Sequence, residues 1–244
     1  MIHSITIKIN IILFVYYFRI VRIMLELFND FIISKMCKLV ISMMKILLLL
    51  LLLFSCNSKQ NIKSYIHDIE PVSISGNSNA VIEIPAGTHD KFEVSKTNGQ
   101  IVQDIEQGLP RKIKYLGYPG NYGMIPKTLL PIEDGGDGDP LDVLVLGEPL
   151  EKGSIVDVRL VGVLSMLDEG EIDDKLIAVR VKNSLFSKIN SFTDLENEYH
   201  GLTDILKIWF SNYKGSGEVI INGFGDEKLA SEIFFKARKY YLDN

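Results

Sequence analysis

Cysteine is nearly absent from these 244 residues: there are two, Cys37 and Cys56. Cleavage before Cys56, with that residue modified, would leave a domain with no free thiol and no disulfide, which argues against thiol redox chemistry. Long hydrophobic runs are missing as well. The apolar stretch from Ile46 to Phe54 holds nine residues, too few to span a bilayer as a helix. Positive charge is also scarce. Residues 56–244 carry 20 Lys and Arg against 29 Asp and Glu, a net of −9, because six of the 26 basic residues precede Cys56. Such acidity argues against nucleic acid as a partner, and an anionic substrate needs bound cations to approach. No internal repeat is present. What remains, 47% hydrophobic and 23% charged, suits one globular domain with something extra at an end.

The extra is N-terminal. Met44-Lys45 opens the apolar run, and Ser55-Cys56 with the polar Asn57-Ser58-Lys59-Gln60 closes it. A charged start and a short apolar core are the parts of a secretory signal. Leu53-Phe54-Ser55-Cys56 resembles a bacterial lipobox, in which the cysteine becomes the lipidated first residue of the mature protein. The chain therefore divides into an upstream extension over 1–42, a lipoprotein-type signal over 43–55, a polar tether over 56–78 and a domain over 79–244. The alternative is an uncleaved anchor with Cys56 incidental. Both place the domain outside the cytoplasm, on the periplasmic or cell-surface face of a bacterial membrane; an unused signal leaves it cytoplasmic.

Chemistry concentrates in Asp137-Gly138-Asp139-Pro140-Leu141-Asp142. The residues before it, 131–136, form a loop by their Gly and acidic content, and Val143-Leu144-Val145-Leu146 has the length and branching of a buried strand. Residues two apart on an extended chain share a face, so Asp137 and Asp139 look into one space, to which Asp142 returns past Pro140. Three carboxylates this close ionise together only with cations between them. Hard oxygen ligands suit Mg2+, Mn2+ or Ca2+ rather than zinc. Taken alone, the segment reads equally well as an acidic surface turn. An EF-hand loop fits worse, because the strand begins straight after Asp142, inside what would be its twelve residues.

Around this segment the spacing predicts short strands first and helices later, an α+β pattern that is mainly β. Ala80 to Pro85 is an alternating strand stopped by Pro85 and Gly87. Lys91-Phe92-Glu93-Val94 puts Lys91 and Glu93 on one face and turns through Lys96-Thr97-Asn98-Gly99 into Gln100-Ile101-Val102. Residues 153–164 read as one or two strands with a Gly bend. A second acidic cluster, Asp168 to Lys175, feeds an apolar strand over Leu176 to Val179. Residues 183–214 are helical by the recurrence of Leu195, Leu202, Ile205, Leu206, Trp209 and Phe210. A last strand over Glu218 to Ile221 precedes an amphipathic helix over Asp226 to Tyr241. Taken singly, Lys91 and Glu93 are a solvated edge, Tyr118 and Tyr122 are packing residues of a Pro/Gly loop, the second cluster is a hairpin loop, and Tyr213-Lys214 is a helix terminus.

Together they resemble one family. The run from Asp137 to Val143 is similar to the signature of the soluble family I inorganic pyrophosphatases. So, in the same order, are Ile82-Glu83-Ile84-Pro85, the Lys91-x-Glu93 pair, Tyr118-Pro119-Gly120-Asn121-Tyr122-Gly123, the second acidic cluster and Tyr213-Lys214, over roughly 80–240. The resemblance implies a small closed β-barrel of the OB type with two main helices packed outside. It implies Mg2+-dependent hydrolysis of inorganic pyrophosphate, with Mn2+ as a substitute.

By the same resemblance, Glu93, Asp137, Asp142, Asp168 and Asp173 hold several metal ions; Asp139, placed between two of these ligands, is the candidate for the base that takes the proton of the attacking water. Lys91, Arg111, Tyr122, Lys175, Tyr213 and Lys214 hold the two phosphoryl groups, with Glu83, Tyr118 and Glu169 also at the site. The segment from Asp104 to Gly117 departs in length from the commonest pattern, so the phosphate-binding arginine position falls to Arg111 or Lys112. The expected partners are pyrophosphate, a membrane through Cys56, and further copies of this chain, since family members form dimers or hexamers. Two other readings stay open: a non-catalytic metal-binding surface lipoprotein with this fold, and a metal-dependent phosphohydrolase of another exported phosphate compound.

Overall fold

The computed structural model describes residues 64–136, 138–215 and 217–244, besides Arg19 and residues 43–45. The apolar run 46–54, Cys56 and Asp137 lie outside the described residues. Contacts divide the chain into Met1–Asn61 and Ile62–Asn244, and all the sheet and helices below belong to the second unit.

The architecture is mixed α+β, mainly sheet. Strand β1 (Ser78–Ile84) pairs antiparallel with β6 (Asn121–Met124), which pairs antiparallel with β7 (Asp142–Leu146). Strand β7 lies parallel to β10 (Lys175–Arg180), and β10 lies antiparallel to β8 (Ile155–Asp168). The start of β8 pairs back onto β1, and its far end takes β11 (Val219–Asp226) and β9 (Glu171–Ile172). Two hairpins stand apart from this sheet: β2 (Phe92–Val94) with β3 (Ile101–Gln103), and β4 (Ile105–Glu106) with β5 (Leu109–Pro110). Helices α1 (Phe192–Glu198), α2 (Leu202–Asn212) and α3 (Glu227–Asp243) follow. Ser191 caps α1 by accepting from the Asp194 N–H, and Asp226 caps α3 by accepting from the Leu229 N–H.

The central strands are apolar without alternation because both of their faces are covered. Leu144, Leu146, Ile177 and Val179 point to one side, against Leu206, Trp209 and Phe210 of α2. Val143, Val145, Leu176 and Ala178 point to the other, against Ala230, Phe234 and Ala237 of α3. A sheet buried on two sides has little choice of register, since a one-residue slip exchanges the two cores.

Four expectations are corrected. The stretch read as a tether is, from Ser64 on, part of the fold: Ile66 and Ile69 are 6% and 8% exposed and pack with Val81 and Met124. Residues 155–168 form one strand that runs past 164 into the acidic cluster; the expected bend is there, since the pairing with β10 skips from Leu160 to Gly162, and Gly162 is also crowded, a Cβ there meeting the Phe192 ring and the Gly225 carbonyl oxygen. Asn121 to Met124 is strand rather than loop. Helical structure begins only at Phe192 and breaks at Gly201, which has φ +81°; Ile205 lies on the exposed side of α2.

Candidate active site

A cavity of about 560 Å³ opens where the starts of β7 and β10, the end of β8, the β2–β3 hairpin and the end of α2 meet. Parallel pairing puts Asp142 opposite Lys175 at the first residue of each strand. Lys175 is 2% exposed, and its ammonium bridges Asp142 and Asp173. Burial alone would lower its pKa, but the two carboxylates outweigh burial and hold it protonated. Tyr122, from β6, donates its hydroxyl to Asp142 at 2.5 Å. Burial, and then the charge of Asp142, push that phenol well above its usual range.

The end of α2 supplies the next pair. Tyr213 stacks on Trp209 with ring centres 4.9 Å apart, and Lys214 donates to Oδ2 of Asp168 at the end of β8. The other oxygen of Asp168, Oδ1, is buried without a hydrogen-bond partner. Glu169 follows in the left-handed region, φ +53°, and lines the cavity as an exposed turn residue.

The β2–β3 hairpin forms the opposite wall. Lys91 Nζ lies 3.3 Å from Glu93 and 3.4 Å from Asp104. Arg111 Nη1 donates to Asp104 at 3.0 Å, so one carboxylate fixes two cations. Burial would raise Asp104, but Arg111 and Lys91 hold its carboxyl below the usual range. Lys112 instead pairs with Asp90 at 2.9 Å, and of the two candidates Arg111 lines the cavity and Lys112 does not. Glu83, from β1, accepts the Val94 N–H at 2.6 Å; burial, and then Asp142, push its carboxyl up to about 8. Asp139 is ion-paired with Lys96 of the hairpin turn.

Thirteen expected residues thus line one cavity: Glu83, Lys91, Glu93, Arg111, Tyr122, Asp139, Asp142, Asp168, Glu169, Asp173, Lys175, Tyr213 and Lys214. Tyr118 does not. It is buried behind the wall, 5.4 Å from the Tyr122 ring and 4.9 Å from Trp209, and supports both. Asp104 and Lys96 were missed. Their only sequence signal is position, Asp104 just past the strand that pairs with β2 and Lys96 five residues after Lys91.

Among the described residues no group of three His, Cys, Asp or Glu stands ready as a metal cage; lysines sit on the carboxylates instead. The donor set nevertheless fits hard divalent cations. Eight carboxylate residues line the cavity against five Lys and Arg, all donors are oxygen, and Asp168 Oδ1 is buried and unpartnered.

Residues 80–242 match the inorganic pyrophosphatase family model. The inorganic pyrophosphatase of Campylobacter jejuni is 39% identical over 169 residues, covering 67% of this chain and 91% of that one. The structure of the Schistosoma japonicum inorganic pyrophosphatase superposes with a TM-score of 0.69 at 31% identity, covering 73% of this chain and 71% of that one. A truncated vacuolar soluble pyrophosphatase of Trypanosoma cruzi, in complex with PPi, gives 0.66 at 28% identity, with coverages of 74% and 78%.

Proposed function

This chain belongs to the inorganic pyrophosphatase family and is an inorganic diphosphatase; we propose that it hydrolyses pyrophosphate by direct attack of a water activated by Mg2+. The observation that carries this reading is the cavity that gathers eight carboxylate residues and five Lys and Arg on shared walls. Family members use divalent metals, and here Glu93, Asp137, Asp142, Asp168 and Asp173 would hold them. When bound, such cations lower the pKa of a coordinated water and neutralise phosphate oxygens.

The chain's own residues do the rest. Asp139 accepts the proton of the attacking water. Lys91 and Arg111, locked together by Asp104, and Tyr122, Lys175, Tyr213 and Lys214 hold the two phosphoryl groups and offset charge on the leaving one. Tyr122 and Tyr213 remain protonated donors because burial raises both phenols. No covalent intermediate is needed. The sheet path that returns from β8 to β1 supports reading the scaffold as a closed barrel of the OB type.

We also read Cys56 as a lipid attachment site, on the lipobox-like sequence and the short apolar run before it. Because residues from Ser64 on pack against the domain, the linker shrinks to 57–63, which reaches at most about 25 Å. Exposed Phe235 and Leu242 on α3 support assembly into a homo-oligomer.

Phosphate release from pyrophosphate by the purified protein tests the activity: release should require Mg2+ and stop with a chelator, and no release with Mg2+ present sinks the reading. Faster release from a nucleoside triphosphate would point to a different phosphohydrolase. Asp139→Asn should keep Mg2+ binding and lower kcat about 10²- to 10⁴-fold; an unaltered kcat removes Asp139 from the proton transfer.

A further inference from the structure

We propose that Lys96 is a positioning residue of this site, a built-in cation that sits on Asp139 and competes with the divalent cations taken up by the acidic cluster. The inference rests on the metal reading above. The Lys96 ammonium pairs with Asp139 Oδ1, joining the tip of the β2–β3 turn to the acidic loop on the other wall of the cavity. Lysines cover the neighbouring carboxylates in the same way: Lys175 lies on Asp142 and Asp173, and Lys214 on Asp168. Lys175 is buried at a strand end and Lys214 is mostly covered at a helix end. Lys96 alone of the three is mainly exposed, at 60%, so it can swing into water at small cost.

The turn that delivers Lys96 is held firmly. The Ser95 N–H donates to the Gln100 carbonyl and the Gly99 N–H to the Ser95 carbonyl. The Gln100 N–H is capped by Asn98 Oδ1 at 2.9 Å. From behind, the Tyr65 N–H donates to the Gly99 carbonyl at 2.7 Å. Gly99, at φ +65°, lies so close to Ser64 that no Cβ fits there. Ile66 and Ile69 wedge beneath, with Val94 and Ile101 of the hairpin packed on the same cluster. This strap precedes residue 80, where the family match begins. Backbone and strap thus fix the turn, and the Lys96 side chain is the part free to move. An ammonium on Asp139 screens the carboxylate and repels an incoming cation, so each loading of the site near Asp139 displaces it.

The test is calorimetric titration of Mg2+ into the chelator-treated chain without pyrophosphate. Lys96→Met should tighten Mg2+ binding roughly two- to five-fold, the worth of an exposed ion pair, and Lys96→Arg should bind as the unaltered chain does. Lys112→Met, whose lysine pairs with Asp90 outside the cavity, controls for net charge and should change nothing. Lys96 lies on an exposed turn, and matching thermal melts verify that each variant folds. An unchanged or weaker affinity in Lys96→Met, or an equal gain in Lys112→Met, overturns the proposal. Failure of the unaltered chain to bind Mg2+ overturns instead the metal reading beneath it.

Discussion

Glu83 is a carboxylic acid placed where a carboxylate is costly. It is 5% exposed, it accepts the Val94 N–H, and burial and the nearby Asp142 push its pKa up to about 8 from an ordinary 4.5. The native state therefore keeps a proton that the unfolded chain releases as pH rises from about 4.5 to about 8. Stability drawn from Glu83 must fall across that window, because there the unfolded state binds fewer protons. Glu83→Gln keeps the acceptor oxygen and removes the titration. In chelator, the Tm of the unaltered chain should drop more steeply between pH 5 and 8.5 than that of the variant, which should be the more stable of the two at the alkaline end. Parallel curves would mean that Glu83 is ionised throughout.

At the scale of elements, the N-terminal strap is the test of where the domain begins. If residues 64–77 were a tether, truncating an apolar side chain there would cost nothing. Ile69 is instead buried beside Val81 and Met124, so Ile69→Ala should destabilise by about 2–4 kcal/mol in urea unfolding. A loss below roughly 0.5 kcal/mol, within the range of a surface substitution, would return the strap to the tether. The strap escaped the sequence because Ile66 and Ile69, set among His67, Asp68, Glu70 and Pro71, are too few to establish a period. Strands β7 and β10 were legible for the opposite reason: two covered faces write an unbroken apolar run with acidic loops before it. Gly162 was legible as a bend, which the skipped register between Leu160 and Gly162 matches, but its crowding by Phe192 and Gly225 belongs to the packing and has no spelling in sequence. The thirteen residues that meet at the cavity were legible through motifs. Lys96 and Asp104 were not: what Lys96 touches depends on the hairpin tip reaching the acidic loop, and what Asp104 touches on the pairing that sets it between Lys91 and Arg111.

For the whole molecule, charge and linker length bear on how the domain would be held at a membrane under the lipid-anchor reading. Residues 56–244 carry a net charge of −9, which anionic lipid headgroups repel rather than attract. Among the described residues no helix is long and apolar enough to cross a bilayer. The domain itself thus offers no electrostatic hold, and under the lipid-anchor reading every part of the attachment passes through Cys56 and the segment 57–63. Single acyl chains bind marginally, and stable anchoring takes more than one, so a lipidated Cys56 must carry several chains to retain an acidic domain. Cys56→Ser should therefore abolish incorporation of labelled palmitate. If the signal is then left uncleaved, the variant should remain membrane-bound at the higher mass of the precursor. Equal labelling of the variant, or release of the unaltered protein by salt washing alone, would show that the attachment lies elsewhere.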